Sequence, residues 1–197
     1  MLRRNIIALA AAAPLTVLAA RSFAQEAAPA NASDAAAAAP GAMGEAEMTH
    51  AEETGMVGSL SLLQSRLAAT KASDAKVKQF AEWEVAEQET VGDILKSMKA
   101  GMNDAQGALM PPTDEEAMTM AGPDAQAKLD ELKGLSGAEF DKAYVAANLE
   151  GHQKLLAIQE DYLKVGTNRE HLSVAKLARG QITEHIAHLE ELHAQLG

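Results

Sequence analysis

The sequence predicts an all-α protein, four long helices with a long crossover between the second and the third. Apolar residues recur at alternating steps of three and four over long stretches, which is the period of a helix face. Aromatic residues make up only 3% of a chain rich in Ala, Leu, Glu, Gln and Lys, a composition that favours helix over sheet. Ser/Thr-x-x-Glu boxes stand before three of the four periodic runs, where a cap hydroxyl and a returning carboxylate satisfy the free amides of a first turn.

Residues 1–24 read as an export signal. Arg3 and Arg4 precede an apolar stretch from Ile6 to Ala20, and Ser22 and Ala24 give a small-residue cleavage site. The stretch is shorter than the roughly 20 residues that cross a bilayer and contains Pro14. No other segment reaches spanning length, so no integral span is expected after processing. Residues 25–46 are rich in Ala and Pro and carry almost no large apolar side chain. Such a segment cannot bury enough surface to offset the entropy of ordering, and reads as a disordered linker.

Residues 47–197 then form the folded domain. The first helix, about 47–70, opens with Thr49 and Glu52 in capping-box spacing and repeats Met56, Leu60, Leu63 and Leu67. The second runs from a Ser73 cap to about Met102. The third opens at Ser136 with Glu139 and runs to about Val165, and the fourth starts at Thr167 with Glu170 and continues to the C-terminus. Between the second and third, residues 103–136 contain Pro111, Pro112 and Pro123 with room for one short helix near 124–133. Tight first and last connections make antiparallel pairs, and a long middle one can return along helices that are each about 40 Å long. Short, long, short is the ferritin-like four-helix pattern.

Charge and cysteine content restrict function. The whole chain carries 17 basic and 28 acidic side chains, a net charge of −11. Cleavage after Ala24 removes Arg3, Arg4 and Arg21 and no acid, which makes the mature chain, at −14, more acidic still. An acidic surface does not suit nucleic acid and keeps a helical bundle soluble. The absence of cysteine excludes disulfides, thiolate chemistry and a lipid-modified cysteine. No P-loop, G-x-S-x-G, G-x-G-x-x-G or H-E-x-x-H occurs, so a conventional hydrolase, kinase or dehydrogenase finds no support.

Polar residues interrupt three core stripes at one level. The second helix repeats Val77, Ala81, Glu84, Gln88, Val91 and Leu95, with Glu87 beside them; the fourth repeats Ala178, Ile182, His185, Leu189 and Leu192. On the third, His152 has Val145, Leu149, Leu155 and Leu156 as same-face neighbours. Burying such groups is costly unless they are paired or metal-bound. The candidate ligands of a divalent transition metal are therefore Glu84, Glu87, His152, Glu184 and His185. The competing expectation is a structural polar layer in which Gln88 and Tyr144 take part. A di-iron centre wants more carboxylates than this, and no strict Glu-x-x-His is present. Met98, Met102, Met110, Met118 and Met120 gather near the crossover, a pattern suited to packing or to copper.

The run Phe140-Asp141-Lys142-Ala143-Tyr144-Val145, then His152, then Glu184-His185-Ile186 resembles the exported bacterial proteins of domain of unknown function family 4142. The resemblance spans about Thr49 to Leu196 and implies export and a ferritin-like fold, with His152 and His185 at matching positions. The family's second helix carries an Asp-His pair after V-K-x-F-A; here Val77-Lys78-Gln79-Phe80-Ala81 is present, but the pair falls on Glu87-Gln88. A glutamate of the family's first helix falls on Ser61. The expectation is a periplasmic or secreted helical bundle, free or associated with the outer membrane, that acts as a non-enzymatic binding or envelope-stress module with an envelope protein or a second copy as partner. The alternative is a metal-binding bundle holding di-iron, manganese or copper.

Overall fold

A computed structural model describes residues 43–100 and 107–197. The export signal, the linker up to residue 42, and Met102 lie outside the described residues. Among the described residues there are six helices and no strand: α1 (Glu45–Lys71), α2 (Ala75–Ala100), α3 (Asp114–Ala121), α4 (Ala125–Gly134), α5 (Gly137–Val165) and α6 (Arg169–Leu196). Helix begins at Glu45, two residues inside the expected linker, and the crossover carries two short helices where one was expected. No helix among the described residues is long and apolar enough to cross a membrane.

The helix starts differ from the boxes read in the sequence. Thr49 and Glu52 lie inside α1, whose first turn is closed by Glu47: its carboxylate accepts the Gly44 N–H at 3.1 Å. Asp74, not Ser73, caps α2 by accepting from the amides of Lys76 (2.8 Å) and Val77 (3.1 Å). Ser73 is held instead by the buried Asp141 of α5, which accepts from the backbone of Ser73 at 3.0 Å and of Asp74 at 2.9 Å. Ser136 precedes α5 without a side-chain cap bond, and the chain enters through Gly137 at φ 56°, a conformation glycine adopts without penalty. Asn168 caps α6 by accepting the His171 N–H at 3.0 Å. Among the described residues a full side-chain box stands at α3, where Thr113 Oγ1 accepts from Glu116 N and the Glu116 carboxylate accepts from Thr113 N.

Helix α1 is the spine, packing against α2, α5 and both short helices, while α5 packs against α6. The main core gathers Val77, Phe80, Phe140, Tyr144, Val145, Leu189 and Leu192 from α2, α5 and α6. A second cluster, Leu62, Leu63, Ala117 and Leu129, glues the crossover to α1. Each large side chain buried this way is worth roughly 1.5–3 kcal/mol. Arg66 adds a polar tie, donating to Glu89 of α2 at 2.7 Å and to the Pro112 carbonyl at 3.0 Å. The core faces of α2, α5 and α6 therefore meet around Phe80, and the polar level lies one turn along α2 from it.

Candidate metal centre

The spacing that places Val77 and Ala81 in the core also places Glu84 there, with no exposed surface. Its carboxylate meets imidazoles from two other helices. His152 Nε2 lies 3.2 Å from Glu84 Oε2, His185 Nδ1 lies 3.1 Å from the same oxygen, and the two nitrogens are 3.3 Å apart. Glu84, His152 and His185 thus turn one donor atom each toward a common point. Donors about 2.1 Å from a single ion stand roughly 3.0 Å apart in octahedral and 3.4 Å apart in tetrahedral coordination. The observed edges fall between these limits.

The far side of each donor group is also held. Ser61 Oγ donates to Glu84 Oε1 at 2.6 Å. His152 Nδ1 donates to the Asn148 carbonyl at 2.8 Å, which puts one proton on Nδ1 and leaves Nε2 facing Glu84, free to carry a second proton or to coordinate a cation in its place. Glu87 Oε2 lies 3.3 Å from His185 Nε2, which orients the ring so that its Nδ1 faces inward. Outer partners of this kind orient metal-ligating histidines and carboxylates. His185, at 16% side-chain exposure, is the edge that reaches solvent.

Burial alone pushes the Glu84 carboxyl up, but the charge and hydrogen bond of His152, with bonds from His185 and Ser61, outweigh it and hold the group well below its ordinary value. Burial likewise pushes His152 down, while Glu84 overrides it, so that the imidazole's affinity for a proton is raised. Glu87 is pushed up by burial and by the neighbouring Glu84 charge, against the pull of His185. A point that attracts positive charge this strongly suits a proton or a cation equally.

The other candidates separate. Glu87 joins from outside through His185. Glu184, expected as a ligand, is exposed, because one step of 100° along α6 from His185 turns it off the inward face. Gln88 is buried but turned toward α1, where its Oε1 would lie 2.4 Å from a side-chain carbon at Gly58; only glycine leaves it room. Tyr144 bonds to Ser65 Oγ at 2.8 Å rather than to the cluster. His188 lies between Phe80 and Trp83, with ring centroids at 5.9 and 5.7 Å. Met110 and Met120 are exposed and Met118 packs beneath the crossover. Ser61 and Asn148 were not legible as outer partners, because nothing in α1 or α5 spacing says which helix will face Glu84.

A second buried polar cluster had no counterpart among the sequence candidates. Near the start of α1, His50 Nδ1 lies 2.7 Å from His171 Nε2, and His50 Nε2 lies 2.8 Å from Gln159 Oε1. Gln159 donates onward to Thr54 at 3.0 Å. With His50 donating to the amide oxygen, its Nδ1 accepts from His171, and His171 Nδ1 is left without a partner among the described residues. Glu47 stands nearby, but its Oε1 accepts from Tyr162 OH and from the amides of Thr167 and Asn168. Burial pushes it up, yet these bonds bring it down to about 2. Burial lowers both histidines, His171 to about 4 with a contribution from His50. The sequence signal was present: Glu47, His50 and Thr54 follow a helical three-four spacing.

A family model described as a domain of unknown function (DUF4142) matches residues 31–192. No curated protein and no solved structure matches the chain.

Proposed function

We propose that this chain, which belongs to the DUF4142 family, binds one divalent transition-metal ion through Glu84, His152 and His185. The observation that carries the reading is the triangle of donors at 3.1–3.3 Å, with each donor group fixed from behind by Ser61, Asn148 or Glu87. Two imidazoles and a carboxylate suit Fe(II), Mn(II), Zn(II) or Cu(II). Three protein donors leave coordination positions open, and the exposed edge of His185 gives an ion its access. The smaller donor set favours a mononuclear site over a di-iron centre. The absence of a known catalytic motif supports a binding role rather than a conventional enzyme.

In this reading the domain is a ferritin-like four-helix bundle, supported by the short-long-short connections and by three long helices contributing to one interior site. The N-terminal segment supports export, to the periplasm or beyond it. N-terminal sequencing of the exported protein should begin near Gln25; retention of Arg3 and Arg4 would remove the export reading.

The metal reading is tested on chelator-stripped protein titrated with Fe(II), Mn(II), Zn(II) and Cu(II), with bound metal measured after desalting. One ion per chain is expected, together with a raised melting temperature, since a ligand at 100 times its Kd stabilises by about 2.7 kcal/mol. His152→Ala and His185→Ala should each abolish it. No stoichiometric metal, or binding indifferent to both changes, would leave the cluster as a structural ion pair.

A further inference from the structure

Ser61 and Asn148 have a second face. A cavity of about 490 Å³ lies between α1, α4 and α5, and both residues line it, while Glu84 does not. Its walls are mostly apolar, with Val57 and Leu60 from α1, Leu132 from α4, Leu135 just after it, and Ala143 and Ala147 from α5. The volume is that of a small-molecule pocket.

The polar end of this cavity has unmet hydrogen-bonding capacity. Gln64 lines it at 5% exposure, and its carboxamide, two donors and an acceptor, has no hydrogen-bond partner among the described residues. Its amide atoms are not sealed from the cavity, and a group bound there can satisfy them. Ser61 Oγ is within bonding distance of both Glu84 Oε1 (2.6 Å) and Asn148 Oδ1 (2.7 Å), but a hydroxyl has one proton. The charged carboxylate takes it. The Asn148 carbonyl is thereby left in want of a donor.

Charge at the mouth argues against an ionic occupant. Lys154 is engaged by Glu150 at 2.5 Å, and Lys128 stands among Asp124, Glu131 and Glu150, so no net positive field remains. The inner end is built only of neutral amides and a hydroxyl. We infer that this cavity binds a small uncharged amphiphile, with an apolar body between α1, α4 and α5 and a head that both donates and accepts hydrogen bonds at Gln64 and Asn148. The pocket stands on its own residues and does not require the metal.

Three probes of one shape test this by NMR titration of the isotope-labelled full chain: para-butylphenol, whose hydroxyl donates and accepts; butylbenzene, which has no head; and para-butylbenzoate, which is charged. Para-butylphenol should bind saturably, one per chain, and shift the Gln64 side-chain amide. The other two should bind at least about 10-fold more weakly. Gln64→Leu, close in volume, should reduce para-butylphenol affinity about 10-fold, and Ala147→Phe should fill the cavity and abolish binding. Metal stoichiometry should be unchanged in both variants, which separates failure of this inference from failure of the metal reading. If Ala147→Phe does not fold, Gln64→Leu decides. Absence of a saturable shift, binding that survives Gln64→Leu undiminished, or preference for the benzoate or for butylbenzene would overturn the inference.

Discussion

Two buried clusters in this protein use the same residue types and arrive at opposite electrostatics. Around Glu84 the carboxylate faces His152 and His185 directly, and the proton affinity of His152 rises. Around His50 the imidazoles face an amide and each other, while Glu47, one turn away, spends its Oε1 on Tyr162 and two backbone amides. Both histidines there are lowered. Two histidines and a glutamate therefore do not define a metal site. What decides is where the carboxylate's lone pairs point, and in the second cluster they point at a loop.

The contrast is broken most directly by metal binding. His152→Ala should lower metal affinity by about 1,000-fold, roughly 4 kcal/mol, while His50→Ala leaves it within about twofold; loss in both variants would mean the clusters are not distinct. The next largest effect concerns Glu47. Glu47→Gln removes a charged acceptor from Tyr162 OH and two loop amides, and should cost about 2–3 kcal/mol in a denaturant titration with metal affinity unchanged. A negligible cost would show that this carboxylate is not the clamp of the α5–α6 connection.

The clusters should also respond to pH with opposite sign. His50 and His171 hold values below 6.5 in the folded chain, so the unfolded chain takes up more protons between pH 6.5 and about 4, and stability falls on acidification through that window. His152 is raised, so its contribution is fully present below pH 6.5 and is lost as pH rises through its folded value. With chelator present, the wild type should lose about 5 °C more than His171→Leu between pH 7 and pH 5. Equal losses would remove the neutral-pair account of His50 and His171. The smallest effect is expected at Gln88. Because its amide is turned toward Gly58, Gln88→Leu should change metal affinity less than about twofold and stability by about 1 kcal/mol or less.

Periodicity alone placed Glu84, His152 and His185 on buried faces, because a helix repeats every 3.6 residues whatever it packs against. It also located the four long helices, since their apolar stripes are long. The cap residues were less legible: Ser136 stands at the start of α5 as its spacing indicated, though without a side-chain cap bond, while Glu47 and Asn168 rather than Thr49 and Thr167 set the starts of α1 and α6, because a cap depends on the path of the chain entering the helix. Glu184 was legible only as a neighbour of His185, and the fold turned it to solvent.

The sequence by itself determined the all-α class, the acidic and cysteine-free chemistry, and the presence of polar groups within core stripes, since each follows from composition or from a local period. Tertiary structure alone decided which of those groups meet. Ser61 reaching Glu84 across 23 residues, Asn148 serving both His152 and a cavity, and His50 finding His171 across 121 residues depend on the relative rotation and height of whole helices. That is set by packing of side chains far apart in the chain, and no local pattern encodes it.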